Sequence, residues 1–226
     1  MKQFRGGTVV AAVVVLTVVT GCAVMPRATV TGKGVEQKPV VQVEAGQSRW
    51  YVYKDADSPE NHGIWSGWMP KEGAKMVTMN LDCRDEQSKA TGETTIRTDV
   101  RLSFPWWCGV VVTCKEGYWG ETPYVGAYRL SRAKRLVFKA RGEKGGESIQ
   151  VKVAIAGDKP YGDSAKVPAA TPWLSLTKDW KVYELSMQGV DLSRVITPFC
   201  WVVNKDENGA GPVAFYLDDI YFDMGK

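Results

Sequence analysis

Two adjacent carboxylates, Asp218 and Asp219, stand in the middle of "AFYLDDIYFDM", a run whose other members are mostly apolar or aromatic. The run reads as a buried β-strand, on which successive side chains point to opposite faces. Phe215, Leu217, Asp219 and Tyr221 then share one face, and Tyr216, Asp218, Ile220 and Phe222 the other. Each apolar face would carry one charge, which is costly without a compensating partner. An ion pair with Arg97 or Arg101 is one way to supply it, and backbone amides are another for Asp219.

Other reactive residues are sparse. His62 is the only histidine, so Ser-His-Asp and Cys-His arrangements are excluded unless His62 itself serves. It lies in "SPENHGIWSGWMP", where a loop histidine bonded to backbone is expected. No two-histidine metal motif, phosphate-cradling loop or dinucleotide fingerprint occurs. Glycoside hydrolysis needs two carboxylates facing each other across a cleft, and no spacing marks such a pair. Glu143 and Glu147 flank a glycine-rich connector and read as solvated turn residues. The chain is therefore expected not to be an enzyme.

The N-terminus indicates export. Lys2 and Arg5 precede "TVVAAVVVLTVVT", too short for a stable bilayer span but suited to a signal-peptide core. It ends at "VTGC", which resembles a bacterial lipobox with Cys22 as the lipidated residue. Residues 1–21 are then a signal peptide, and a lipid on Cys22 anchors the protein to a membrane without spanning it. Ala23 follows Cys22, so no aspartate stands there to hold the protein at an inner membrane. The expected location is the bacterial cell envelope, at the outer membrane if the host has one. Residues 22–46 lack aromatics and sustained periodicity and read as a tether, within which "KPVVQVEA" has the composition of an edge strand. The whole chain carries +4, falling to about +2 without Lys2 and Arg5. That near-neutral balance excludes a nucleic-acid footprint.

Export permits disulfides, and Cys83, Cys108, Cys114 and Cys200 remain after lipidation. Cys108 and Cys114 sit six residues apart on the apparent strand "CGVVVTC", roughly 20 Å if extended, beyond disulfide reach. Free buried thiols remain open for all four.

Residues 47–226 suit one domain. Runs such as "WYVYK", "AKMVTMNL", "ETTIRTDVRLSF", "WCGVVVTC", "WKVYELSM" and "FCWVVN" alternate or are apolar throughout, and Gly, Pro, Asn and Asp separate them. No window carries a convincing helical stripe. Within "RLVFKARGEKGGESIQVKVAIAG" two period-2 runs flank "GEKGG" and predict a β-hairpin. Many short strands without helices predict an all-β, antiparallel two-sheet sandwich. Nine Trp and nine Tyr are many for this length and can serve as core, as a sugar-stacking platform or as a partner interface.

Four segments, "SRAKRLVFKARGEKGGESIQVKV", "TKDWKVYELSM", "DLSRVITPFCWVVN" and "FYLDDIYF", in this order and spacing, resemble the galactose-binding-like jelly rolls used by many bacterial carbohydrate-binding modules. The earlier half matches more loosely through "WYVYKDADSPENHGIWSGWM" and "ATGETTIRTDVRLSF". The resemblance implies a jelly-roll β-sandwich. It also implies a structural calcium ion near the sheet edge, held by Asp218 with help from Asp55 and backbone oxygens of the Ala90–Gly92 turn. Ligand binding in this class uses aromatics and polar groups on one sheet or its rim, which nominates Trp106, Trp107, Tyr118, Trp119, Tyr124 and Arg141. Trp173 is expected to pack a loop, Trp180 and Trp201 to enter the core, and Trp50, Trp65 and Trp68 to pin the N-terminal loop. The chain departs from the pattern at Val110, Val111 and Val112, where relatives favour a larger aromatic, and at Gly117 and Tyr118, where they favour Asn. The implied function is a membrane-anchored, non-catalytic module that binds a glycan or polysaccharide. An envelope lipoprotein that contacts a protein partner is the alternative, and a glycan-acting enzyme stands behind both.

Overall fold

The computed structural model describes residues 29–31, 46–71, 75–85, 90–103, 106–124 and 126–225. The signal peptide, Cys22 and "KPVVQVEA" lie outside these residues. Among those described, the larger sheet contains β1 (Thr29–Thr31), β2 (Arg49–Tyr53), β4 (Val77–Cys83), β5 (Thr95–Arg101), β7 (Arg135–Gly142), β11 (Lys181–Ser186) and β13 (Pro212–Asp223). The smaller contains β3 (Ile64–Met69), β6 (Trp107–Thr113), β8 (Ser148–Val153), β9 (Ala169–Ala170), β10 (Leu174–Ser175) and β12 (Phe199–Asn204). A single turn of helix, α1 (Lys205–Asn208), follows β12, with Asn204 capping it through its side chain. Strand order is β1-β4-β5-β13-β7-β11 in one sheet, with β2 also on β13, and β10-β8-β12-β6-β3 in the other, with β9 on β8. Every pairing is antiparallel except β1 on β4. The expected all-β sandwich is the observed architecture. Residues 29–31, read from sequence as tether, instead extend the larger sheet.

One core fills the space between the sheets. Phe138 on β7 meets Phe199 on β12 edge-on at 6.2 Å, and Trp201 on β12 meets Phe215 on β13 at 5.2 Å, near-perpendicular. Such edge-to-face pairs add to the gain from burying large rings. Trp50 is fully buried and stacks on His62 at 4.5 Å, while the His62 Nδ1 lies 2.9 Å from the Tyr51 carbonyl. The histidine is backbone-bonded, as expected.

The predicted hairpin is not one. β7 pairs with β13 and β11, whereas β8 pairs with β12 and β10. Residues 143–147 arch from one sheet to the other, helped by positive φ at Gly145 and Gly146. Leu136, Phe138 and Ala140 therefore face Ile149, Val151 and Val153 across the core instead of sharing a sheet face with them. Two matched apolar alternations satisfy either arrangement, and only the third dimension separates them. Glu143, read as a solvated turn residue, accepts a 2.5 Å hydrogen bond from the Tyr216 hydroxyl.

Cys83, Cys108, Cys114 and Cys200 are all buried, and none forms a disulfide among the described residues. Burial pushes the thiols of Cys108, Cys114 and Cys200 up to about 12, so they pack as small apolar groups.

Candidate ligand-binding face and aspartate bulge

β13 lies at the centre of the larger sheet and changes neighbour midway. Residues 212–217 pair with β5, and 220–223 with β2. At the change Asp219 adopts φ 46° and the register slips between Asp218 and Tyr221. Asp219 is thus the extra residue of a β-bulge. The insertion corrects the expected alternation. Phe215, Leu217, Ile220 and Phe222 all face the core, while Tyr216, Asp218 and Tyr221 face outward. Neither acid enters the apolar interior between the sheets.

Asp218 is nonetheless without solvent exposure. Its Oδ2 accepts from the Thr91 amide at 3.1 Å and the Thr91 hydroxyl at 3.3 Å, and its Oδ1 from the Asp219 amide at 2.8 Å. Lys139, cross-strand from Asp218, places its ammonium 2.8 Å from Asp219 Oδ2 and 2.8 Å from Thr91 Oγ1. Burial, followed by the neighbouring Asp219 charge, raises the Asp218 carboxyl to about 7, against the opposing pull of the Thr91 and Asp219 amides and Lys139. Arg97 does not reach these acids. It pairs with Asp99 at 2.9 Å and donates to the Tyr216 hydroxyl at 2.6 Å.

Asp55, the other residue implied for calcium, accepts from the Glu93 and Thr94 amides at 2.7 and 2.9 Å through Oδ1. Its carboxylate sits against Gly92, where φ is 68° and a Cβ would come within 2.5 Å of the acid. Calcium requires a shell of converging oxygens. Here the carboxylate oxygens meet N–H and O–H donors, a lysine supplies the positive charge, and no group of three or more His, Cys, Asp or Glu converges among the described residues. As arranged, this donor set does not fit calcium.

A different surface has the makings of a ligand site. The outward positions of the smaller sheet run Gly67 and Met69 on β3, Trp107, Gly109 and Val111 on β6, Cys200, Val202 and Asn204 on β12, and Gln150 and Lys152 on β8. Val111, Cys200 and Val202 are buried although they point away from the core, because Trp119, Trp173, Met69 and Ile155 pack over them. Two glycines keep the floor low. A Cβ at Gly67 would lie 2.9 Å from the Trp119 ring, and one at Gly109 would meet the Trp201 carbonyl at 2.6 Å. Trp106 and Trp107, 45% and 37% exposed, close one end. Trp106 has φ 71°, its carbonyl accepts from the Lys205 amide, and the Lys205 ammonium lies 4.0 Å from its ring centre. An apolar strip edged by partly exposed indoles suits the C–H-rich face of a sugar ring.

Of the residues nominated from sequence, Trp107 and Trp119 lie on this face, and Trp106 immediately precedes Trp107 at the start of β6. Tyr118 is not on that face. It is buried, and its hydroxyl donates to the Thr122 carbonyl at 2.6 Å. Tyr124 lies half-buried against Tyr118, with the Lys115 ammonium 5.2 Å from its ring. Arg141 is on β7, hence on the opposite outer face, stacked 3.9 Å from the Tyr216 ring centre. Trp180 flanks that stack, half-buried, and does not enter the core. Sequence reasoning missed Trp173, Gln150 and Lys152 as members of the face. Their signal was alternation: Ile149, Val151 and Val153 point inward, so Gln150 and Lys152 must point out, and Trp173 precedes the inward Leu174.

No family profile matches this sequence, and no curated protein does. The fold does have solved counterparts. A family 30 carbohydrate-binding module superposes with TM-score 0.50 at 15% identity, over 79% of this chain and 88% of that one. The family 30 module of a cellulosomal cellulase from Clostridium thermocellum gives 0.48 at 20% identity, over 76% and 95%. A family 29 carbohydrate-binding module variant gives 0.44 at 12%, over 79% and 94%. The first of these likenesses shows that the chain has the jelly-roll sandwich fold found in such modules. Fold likeness at this identity leaves function to be argued from the site.

Proposed function

We propose that this chain is a non-catalytic glycan-binding lipoprotein, anchored through Cys22 in the cell envelope, that holds a polysaccharide against the outer face of the smaller sheet. The observation that carries the reading is the apolar surface that Trp119 and Trp173 build over Val111, Cys200 and Val202, with Trp107 exposed on the same sheet face. Indoles held by packing on a rigid sheet lose little freedom when a ligand stacks, which is how a shallow site retains affinity. The strand positions of this face carry no carboxylate, so the opposed acid pair of a glycosidase has no counterpart there. In the same reading Lys139 takes the structural part that the resemblance gives to calcium.

Affinity electrophoresis of the detergent-solubilised full chain, in gels carrying neutral and acidic polysaccharides, tests the binding. Retention by at least one glycan is expected, with a loss of about tenfold or more for Trp119→Ala and Trp173→Ala. Retention unaffected by both substitutions, or absent on every glycan, would end this reading. Co-purification of a single envelope protein would then favour a protein partner for the same apolar strip. The anchor is checked separately, since Cys22→Ser should abolish incorporation of labelled fatty acid and release the protein from membranes.

A further inference from the structure

We infer that the glycan bound on this face carries a carboxylate, as in a polyuronate, and that Lys152 is the residue that recognises it. The inference rests on the glycan-binding reading and adds the class of sugar. Among the outward strand positions of the smaller sheet, Lys152 is the one charged side chain. It sits cross-strand from Cys200, next to the indole-covered floor. Its partner on the other side is Ala170 of β9. The other outer face of the sandwich is built differently. There Lys139 pairs with Asp219, Arg97 with Asp99, and Arg135 with both Glu184 and Asp223. Lys152 has no ion-pair partner among the described residues.

An ammonium beside a water-poor apolar strip exerts a stronger field than one surrounded by solvent. A sugar ring stacking on the neighbouring indoles displaces water from that ammonium. A neutral sugar offers only hydroxyls in return, whereas a uronate offers a charge-assisted hydrogen bond, roughly twice as strong as a neutral one. Gln150, one row along β8, donates through Nε2 to the Thr171 carbonyl at 2.9 Å. That bond orients its amide and leaves the carbonyl oxygen to accept from a sugar hydroxyl. The acids nearest Lys152 along the chain, Glu147 and Asp158, lie in the connectors on either side of β8, where Glu147 accepts from the Lys144 amide and Asp158 faces Lys159. Asp206 and Glu207 belong to α1 beyond the end of β12, alongside Lys205. Lys152 therefore meets a ligand carboxylate without a competing acid at any strand position of its own face.

The full chain in mild detergent should be retarded in gels carrying polygalacturonate or alginate more strongly than in gels carrying hydroxyethylcellulose or glucomannan. Lys152→Gln should weaken retention by the polyuronates about tenfold while leaving any retention by neutral glycans unchanged. Lys152→Arg should keep it, and 0.5 M NaCl should reduce it in the native protein but not in Lys152→Gln. Equal or stronger retention by the neutral gels, or polyuronate binding indifferent to Lys152→Gln, overturns this inference and leaves the glycan reading standing. Retention by none of the four gels overturns both. Lys152 is partly exposed, so loss of fold does not confound the variants, and unchanged circular dichroism verifies this.

Discussion

At the scale of single residues, Asp218 makes stability depend on pH in an unusual direction. Its carboxyl is raised from 3.8 to about 7, chiefly by burial and then by Asp219. Below about pH 4 it is protonated whether the chain is folded or not, and its contribution is fully present. Between pH 4 and 7 the unfolded chain releases this proton while the folded one keeps it, so stability falls as pH rises. Asp191 and Asp223, held below the usual range by the Ser193 and Gly225 amides, act at lower pH and do not enter this window. In Asp219→Asn the like charge is gone and Asn tolerates the left-handed conformation. The decline in melting temperature should then shift to lower pH by about one unit. Superimposable pH profiles for the two proteins would show that Asp219 does not govern Asp218.

Lys139 is the second residue whose role is decided locally. Its ammonium contacts Asp219 and Thr91, so Lys139→Met should cost about 1–3 kcal/mol in urea unfolding. Millimolar calcium chloride should leave the melting temperature of the native chain within a degree of its value in EGTA. A rise of several degrees would restore calcium to this site. The sequence displayed the acids clearly, and the need for compensation followed from their surroundings. It did not display the compensating group, because the bulge that brings Lys139 and Thr91 to the acids arises where β13 exchanges β5 for β2, a long-range event.

Elements behave in the same way. Alternation within β7 and β8 was legible residue by residue, yet their sheet membership was not, since a hairpin and an arch bury the same positions. The error propagated to Arg141, which alternation correctly turned outward but which belongs to the far face. Tyr118 and Trp119 show the local limit: adjacent aromatics on one loop, of which one fills the interior and the other roofs the smaller sheet. A test at this scale uses Gly67, in the irregular stretch of β3 where register shifts between Trp65 and Gly67. Gly67→Ala brings a methyl group within 2.9 Å of both the Trp119 ring and Val111 Cβ. The indole must tilt, and overpacking of this kind costs about 1–3 kcal/mol. Altered tryptophan emission together with weakened glycan retention is expected. An unchanged spectrum would mean that Trp119 is not held by this contact.

Across the whole molecule, the two outer faces differ in their charges. On one, Lys139, Arg97 and Arg135 pair with acids and Arg141 stacks on Tyr216 beside Trp180; on the other, Lys152 is the one charged side chain at the outward strand positions. Substitutions should sort accordingly. Arg141→Ala and Trp180→Ala should lower the urea midpoint without moving glycan retention, while Trp107→Ala should weaken retention at constant stability. Retention lost in Arg141→Ala at full stability would transfer the site to the larger sheet.

The parallel pairing of Thr29–Thr31 with β4 also limits how far the domain could stand from the lipid anchor proposed at Cys22. With a lipid on Cys22, only about seven residues separate the bilayer from the sheet, and even a taut chain of that length spans at most roughly 25 Å. The leash is thus several times shorter than the unstructured run suggested by composition. Under the proposed lipid anchor the β1–β4 margin would ride close to the lipid headgroups, and a polymer captured on the smaller sheet would be drawn down to the membrane rather than held aloft.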